Sequence, residues 1–331
     1  MSPFAIAFKG GSVQGEFSGE TENDHLRARI AWFYFVGGLT QQQIADRLRI
    51  TRLRVNKTIG QIRADGSVLV ELRMPLVDCI DLEEKLKAKF NLEDVSVTPS
   101  MPDYIEQQRT IGEAAGMMLD TLIQGYKGIG VGWGRTLSFS VRRITAKLPT
   151  GSWVVGLMGG VTRGSGTNTF EVSTALARAL DVECHYLTAP IYCHSMESRA
   201  TLLMHEELAE VMRRAEDAQV VLVSCGDLSE RSPITPINIV REHLAELIEL
   251  GSIGEILGCF LDKDGGVISH HVNESIMALP LEKLRKKPVS ILASGGRNKI
   301  KIIRAILRGK YINRLVTDED VARQLLIGRD D

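Results

Sequence analysis

No stretch of this sequence approaches the ~20 consecutive apolar residues that a membrane helix needs, so no membrane partner is expected. The opening, MSPFAIAFKGGSVQGEFSGETEND, lacks a cationic start followed by a sustained apolar segment and does not read as a signal peptide. Its glycines and serines make residues 1–24 an expected disordered tail. Cysteine is sparse: Cys79, Cys184, Cys193, Cys225 and Cys259 are the five, and none forms a C-x-x-C pair. Reduced thiols in a cytoplasmic protein are expected. Cys184-His185, Cys193-His194 and His270-His271 have neither zinc-finger nor zincin spacing, so neither a metal nor a cofactor is expected. Internal repeats and low-complexity linkers are also missing. Net charge is nearly so: 40 basic residues stand against 41 acidic ones. What remains, 331 residues with 44% hydrophobic and 24% charged, suits a globular chain of two or three domains.

Against that balance, one stretch is strongly basic. TQQQIADRLRITRLRVNKTIGQIRADG, from Thr40 to Gly66, holds Arg47, Arg49, Arg52, Arg54, Lys57 and Arg63 but only Asp46 and Asp65 as acids. Ile44, Ala45 and Leu48 mark the apolar face of one short helix, and Val55, Ile59 and Ile62 that of a second. Thr40 can cap the first, with Gln43 at the capping-box position, and Thr51 can cap the second. HLRARIAWFYFVGG reads as a preceding helix ended by Gly37-Gly38. Three short helices with a tight turn between the last two form a helix-turn-helix. If Val55, Ile59 and Ile62 face inward, Arg52, Arg54, Asn56 and Lys57 fall outside near the helix start, where base edges are read. Arg47, Arg49 and Arg63 suit phosphates. The candidate DNA-facing set is Thr40, Gln41, Arg49, Thr51, Arg52, Arg54, Asn56 and Lys57. Such turns favour glycine near position 49, where positive φ is useful; here Arg49 occupies it. GSVLVELRMP then alternates as a short strand or wing.

From residue 76 onward strand-like runs alternate with helical ones: EDVSVTP, GIGVGW, SWVVGLMG, CHYLTAPIY, QVVLVSCG, GEILGCFLD and VSILASGG. This implies an α/β domain with a doubly wound, mainly parallel sheet, whose ligands bind at the carboxyl ends of the strands. The expected division is a tail at 1–24, a helix-turn-helix domain at 25–75 and a ligand domain at 76–331.

Three glycine-rich loops sit at those strand ends. In GIGVGWGRTLS, Gly132 and Gly134 can let backbone N–H groups approach a phosphate, with Arg135 and Thr136 beside them. The spacing is not a dinucleotide fingerprint, because residue 135 is arginine where the third glycine would stand. GLMGGVTRGSGTN offers Arg163, Thr167 and Asn168. ASGGRNK offers Lys299. Each set of glycines could equally serve chain geometry alone. Glu255 could bind a hydroxyl or be a solvated strand residue. Asp262 and Asn273, in LDKDGGVISHHVNES, could meet a sugar or cap a tight turn.

The ordered series LTQQQIADRLRITRLRVNKTIGQIRADG, VGWGRTL, GLMGGVTRG, APIY, GEILGCFLDKDGGVI and GGRNKIKIIRAILRGKYINRLVTDEDVARQLL resembles the SorC family of bacterial sugar-responsive transcription regulators. The likeness runs from about Leu26 to Leu326 and lies in the order of the motifs rather than in any one. It implies a large domain similar to the NagB/RpiA sugar-phosphate isomerase fold, a sugar or phosphosugar effector, and dimers or tetramers. It places Gly134, Arg135 and Thr136 in the first effector loop, Arg163, Asn168 and Glu171 at the second, Glu255 and Asp262 around a strand-turn facing the sugar, and Lys299 as the lysine of the GG..K motif. The long N-terminal tail is not part of the usual pattern.

The expected function is therefore a cytoplasmic regulator of carbohydrate or polyol catabolism, partnered by double-stranded operator DNA, a sugar, polyol or phosphosugar, and further copies of itself. The rival is a sugar-phosphate isomerase-like enzyme using the same pocket, with Glu171, Glu255, Asp262 or Lys299 in general acid/base roles. It leaves the basic helix pair unexplained. An imine between Lys299 and an aldehyde sugar is a third reading.

Overall fold

The computed structural model describes residues 4–7, 20–65, 69–72, 77–161 and 168–327. The chain divides into two compact units, Met1–Val77 and Asp78–Asp331.

The first unit contains β1 (Phe4–Ala7), α1 (Glu20–Ala31), a π-helical turn at Trp32–Val36, α2 (Gln41–Leu48), α3 (Arg52–Ala64) and β2 (Leu69–Leu72). β1 pairs antiparallel with β2 from Phe4 opposite Leu72 to Ala7 opposite Leu69. The segment expected to be a disordered tail thus supplies a strand and, from Glu20, the start of a helix; the FAIA run carries the β-propensity for this. The helices close over Ile30, Ile44, Ala45, Val55 and Ile59, which are buried together.

In the second unit the elements are α4 (Val77–Phe90), β3 (Asp94–Thr98), α5 (Tyr104–Leu122), β4 (Gly128–Val131), α6 (Arg135–Ser140), β5 (Trp153–Gly156), α7 (Thr169–Leu180), β6 (Glu183–His185), α8 (Met196–Leu203), α9 (Glu206–Asp217), β7 (Val220–Val223), β8 (Cys225–Gly226), α10 (Asn238–Glu249), β9 (Gly254–Ile256), β10 (Cys259–Leu261), α11 (His271–Glu274), α12 (Leu281–Leu284), β11 (Val289–Ala293), α13 (Ile300–Arg308), β12 (Arg314–Asp318) and α14 (Glu319–Ile327). Seven strands form one sheet in the order β3-β12-β11-β7-β4-β5-β6. Every pairing in it is parallel. Parallel strands must be covered on both faces, which is why β4, β7 and β11 are buried throughout. Alternate residues point to opposite cores: Val221 and Val223 join one cluster, Val220 and Leu222 the other.

The chain winds outward through β4, β5 and β6 on one side and through β7, β11 and β12 on the other. The reversal falls between β4 and β7, and a crevice opens at such a point beyond the strand ends.

GEILGCFLD is not one strand, as its apolar run suggests. It is a hairpin, β9 and β10, paired antiparallel, with β8 as the third strand of a small sheet. Leu257 (φ 51°) and Gly258 (φ 79°) form its two-residue turn. Positive φ at both positions matches the right-handed strand twist.

Candidate functional site

The crevice at the strand reversal is a cavity of about 110 Å³. A single water needs roughly 10–15 Å³ on the same scale, so the space suits a small polar molecule. Its wall is drawn from four places: Trp133, Gly134, Arg135 and Thr136 after β4; Ser224 to Asp227 after β7, with Arg231, Ser232 and Pro233; Glu255 on β9; and Lys299 after β11. Tyr104 and Gln108 of α5 complete it.

The glycines of these loops act differently from one another. Gly134 has φ 114° and caps α6, whose start carries no side-chain cap. Gly132 does not line the cavity: its N–H donates to Leu222 O at 3.0 Å, so it is spent on sheet continuity rather than on a phosphate. After β11, Gly295 leaves no room for a Cβ against Asp318 and Ile111, and Gly296 takes φ 95° while donating its N–H to Asp318 Oδ2 at 2.7 Å. Asp318 thereby sets the loop that presents Lys299. Arg297 turns away to pair with Asp320 at 2.9 Å. Lys299 is buried to 8% exposure, and its ammonium makes no hydrogen bond or ion pair among the described residues. Arg135 and Arg231 are exposed at the rim.

Two carboxylates face these cations. Glu255 is 2% exposed. Burial pushes its pKa up to about 7, against the opposing pull of the Gly258 N–H and of the Lys299 charge. The Gly258 amide donates to Glu255 Oε2 at 2.7 Å. Gly226 gives the carboxylate its space, since a Cβ there would overlap Glu255 Oε1. Asp227 accepts from Asn298 Nδ2 at 3.0 Å. Ser232 Oγ is buried on the wall with no hydrogen-bond partner. Cys225 is pushed up to about 11 by burial, so its thiol stays protonated. Cations for an anion, carboxylates and a spare hydroxyl for sugar hydroxyls, and Trp133 for an apolar ring face converge on one small space.

Of the residues expected here, Gly134, Arg135, Thr136, Glu255 and Lys299 are brought together. Asn168 and Glu171 are not in the wall. The Asn168 N–H donates to Glu171 Oε2 at 3.0 Å, and Asn168 Nδ2 to Val161 O at 2.8 Å, closing the start of α7. Asp262 is also absent from it: its Oδ1 accepts from the N–H groups of Asp264 (2.9 Å) and Gly266 (2.7 Å), the turn-capping alternative. Asn273 likewise clasps Phe260 and Ile268 main-chain groups. Arg163 and Thr167 lie outside the described residues. Sequence reasoning missed Tyr104, Gln108, Asp227, Arg231 and Ser232. For Asp227 a signal existed: SCGD directly follows the apolar run VVLV, at the strand end where ligands bind.

In the first unit, Thr40 Oγ1 accepts from Gln43 N–H at 3.3 Å while Gln43 Oε1 accepts from Thr40 N–H at 2.9 Å. Thr51 Oγ1 accepts from Arg54 N–H at 3.2 Å. Arg49 takes φ 55°, ψ 45°, the left-handed turn that its position demands. Val55, Ile59 and Ile62 are buried, whereas Arg52, Arg54, Asn56 and Lys57 are exposed. Gln41 Nε2 donates to Asn56 Oδ1 at 3.3 Å, joining the starts of α2 and α3. Arg47 lies over the Phe33 ring, 4.8 Å from its centre, and Arg63's side chain is outside the described residues. The result is a helix-turn-helix with one basic face. No helix among the described residues is long and apolar enough to cross a membrane.

Residues 74–327 match the family model described as "Putative sugar-binding domain". The chain is 32% identical over 306 residues to the transcriptional regulator LsrR of Escherichia coli K12, covering 90% of this chain and 93% of that one. It is 27% identical over 307 residues to the erythritol catabolism regulatory protein EryD of Brucella abortus, covering 92% and 97%. The full-length sorbitol operon regulator SorC of Klebsiella pneumoniae superposes with a TM-score of 0.71 at 25% identity, covering 92% and 99%. This chain therefore belongs to the SorC family of sugar-binding transcriptional regulators.

Proposed function

We propose that this regulator holds operator DNA with α2 and α3 and senses a sugar, polyol or phosphosugar in the cavity between the ends of β4 and β7. The observation that carries the reading is the convergence of Arg135, Arg231 and Lys299 with Asp227 and Glu255 around one small space. A phosphate finds charge-assisted donors there, and hydroxyls find acceptors. On the DNA side, Arg54 and Asn56 reach base edges, and Arg49, Arg52 and Lys57 meet phosphates. Thr40, Gln41 and Thr51 fix the starts of the two helices and lie close to the backbone.

A symmetric dimer or tetramer in the cytoplasm would set two such units on a palindromic site, with half-sites about 34–36 Å apart or a multiple of that. The ligand acts by binding one arrangement of the oligomer better than the other. One feature suits the enzyme alternative: a carboxyl held near neutrality, as Glu255 is, could exchange protons with a substrate. The family's regulators and the basic helix pair favour control of transcription instead.

The test is a calorimetric titration of the full-length protein with a panel of sugars, polyols and their phosphates, followed in parallel by tryptophan fluorescence. Saturable binding of one compound, abolished by Lys299→Met and silent in fluorescence once Trp133 is replaced by Phe, supports the assignment. Binding that survives Lys299→Met moves the ligand elsewhere. Chemical conversion of the compound in the same cell would favour the enzyme.

A further inference from the structure

His270-His271 has no metal-motif partner nearby in sequence. The fold supplies one: α10 brings His243 against the pair, 27 residues earlier in the chain. One ring nitrogen from each of the three imidazoles lies within 4.8 Å of the others. The His243 and His271 rings meet edge to face with centres 4.4 Å apart, and those of His270 and His271 are 4.3 Å apart. A carboxylate lies beside two of the three. Glu246 Oε2, one turn after His243 on α10, lies 3.2 Å from His243 Nδ1 and 3.1 Å from His270 Nε2.

We propose that His243, His270, His271 and Glu246 bind a divalent transition-metal ion of the zinc type. Zinc–nitrogen bonds of about 2.0–2.1 Å in a tetrahedron put neighbouring ligand atoms about 3.4 Å apart. The two nitrogen–oxygen edges at Glu246 already have nearly that length. The third imidazole, His271, has a ring nitrogen within 4.8 Å of one on each of the other two and must turn toward the ion. His270 Nε2 faces the carboxylate. Its Nδ1 lies 3.3 Å from the Val272 N–H, so ligation through Nε2 puts the ring proton on Nδ1 and gives that contact up. The His271 ring is exposed and makes no hydrogen bond among the described residues. Imidazole with one carboxylate is a donor set for Zn²⁺ or Ni²⁺ rather than for Mg²⁺ or Ca²⁺.

The ion would pin α10 to the start of α11. Two residues beyond the pair, Asn273 clasps the Phe260 main chain in β10, the strand paired with Glu255's own. The site is separate from the cavity and does not depend on its occupant.

The experiment uses the full-length chain, stripped with chelator, dialysed and titrated with Zn²⁺ in a calorimeter, with Co²⁺ absorption as the signature of coordination geometry. One ion per chain is expected, with tetrahedral Co²⁺ bands and a raised Tm in Zn²⁺. His243→Ala and the exposed-side variant His271→Gln should each weaken binding about tenfold or more and remove the Tm rise, while their metal-free melting matches the parent protein. Should His243→Ala fail to fold, His271→Gln alone decides. Zn²⁺ that binds the parent no more tightly than these variants, or that settles on His25, His185, His194 or His205, overturns the proposal.

Discussion

Glu255 is the cavity residue whose protonation burial changes most within the physiological pH range. In the fold it keeps its proton up to about pH 7, whereas an unperturbed glutamate loses it near 4.5. The native state thus holds more protons than the unfolded one between those values, and raising the pH through that window removes stability. Denaturant melts should show the parent losing ~1–3 kcal/mol between pH 4.5 and 8 relative to Glu255→Gln, which keeps the Gly258 hydrogen bond but cannot ionise. Equal pH slopes for the two proteins would mean Glu255 is not held neutral. Gly226→Ala tests the space beside it: the new Cβ meets Glu255 Oε1 and Ser232 Oγ. It should cost ~1–3 kcal/mol in the melt and also weaken ligand binding by calorimetry. At this scale sequence was only partly legible. Lys299, Arg135 and Thr136 could be found from glycine loops that end strands. Asn168, Glu171 and Asp262 could not be separated from ligand contacts, because a short polar side chain beside a turn serves a cap as readily as a sugar.

Among the elements, the helix-turn-helix was legible because caps, apolar spacing and charge all agree on it. The exception is Arg49, where the geometry wants a residue free to adopt positive φ. A left-handed non-glycine residue costs ~1 kcal/mol. Arg49→Gly should therefore stabilise the first unit by roughly 0.5–1 kcal/mol in thermal melts. If Arg49 meets a phosphate as proposed, the same change should weaken DNA binding evenly across sequences and shrink the salt slope by about 0.9. A variant that gains stability and keeps its full salt slope would place Arg49 away from the duplex. The β9–β10 hairpin shows the opposite case. Leu257 carries positive φ within an unbroken apolar run and is itself buried, so neither polarity nor a turn-forming pair announces the reversal. The N-terminal strand was missed for a related reason: its partner, β2, lies 65 residues away from Phe4 at Leu69, and pairing at that distance leaves no local mark.

For the whole molecule, the proposed function requires linkage between two sites on two units. Winding outward from β4 and β7 makes the cavity, and the alternation of strand and helix makes that winding readable in the sequence. What the alternation leaves unstated is which loops meet, because loops from β4, β7, β9 and β11 become neighbours only through the strand order. DNA affinity of the intact protein should fall linearly with the logarithm of salt concentration, as counterion release requires. The measurement that reaches the central claim is fluorescence anisotropy of the full-length protein on a labelled duplex selected from a random pool, with and without the compound identified by the panel titration. The account predicts a change in Kd of roughly 5–150-fold for the parent and none for Lys299→Met. A compound that occupies the cavity and leaves the Kd unmoved would contradict it.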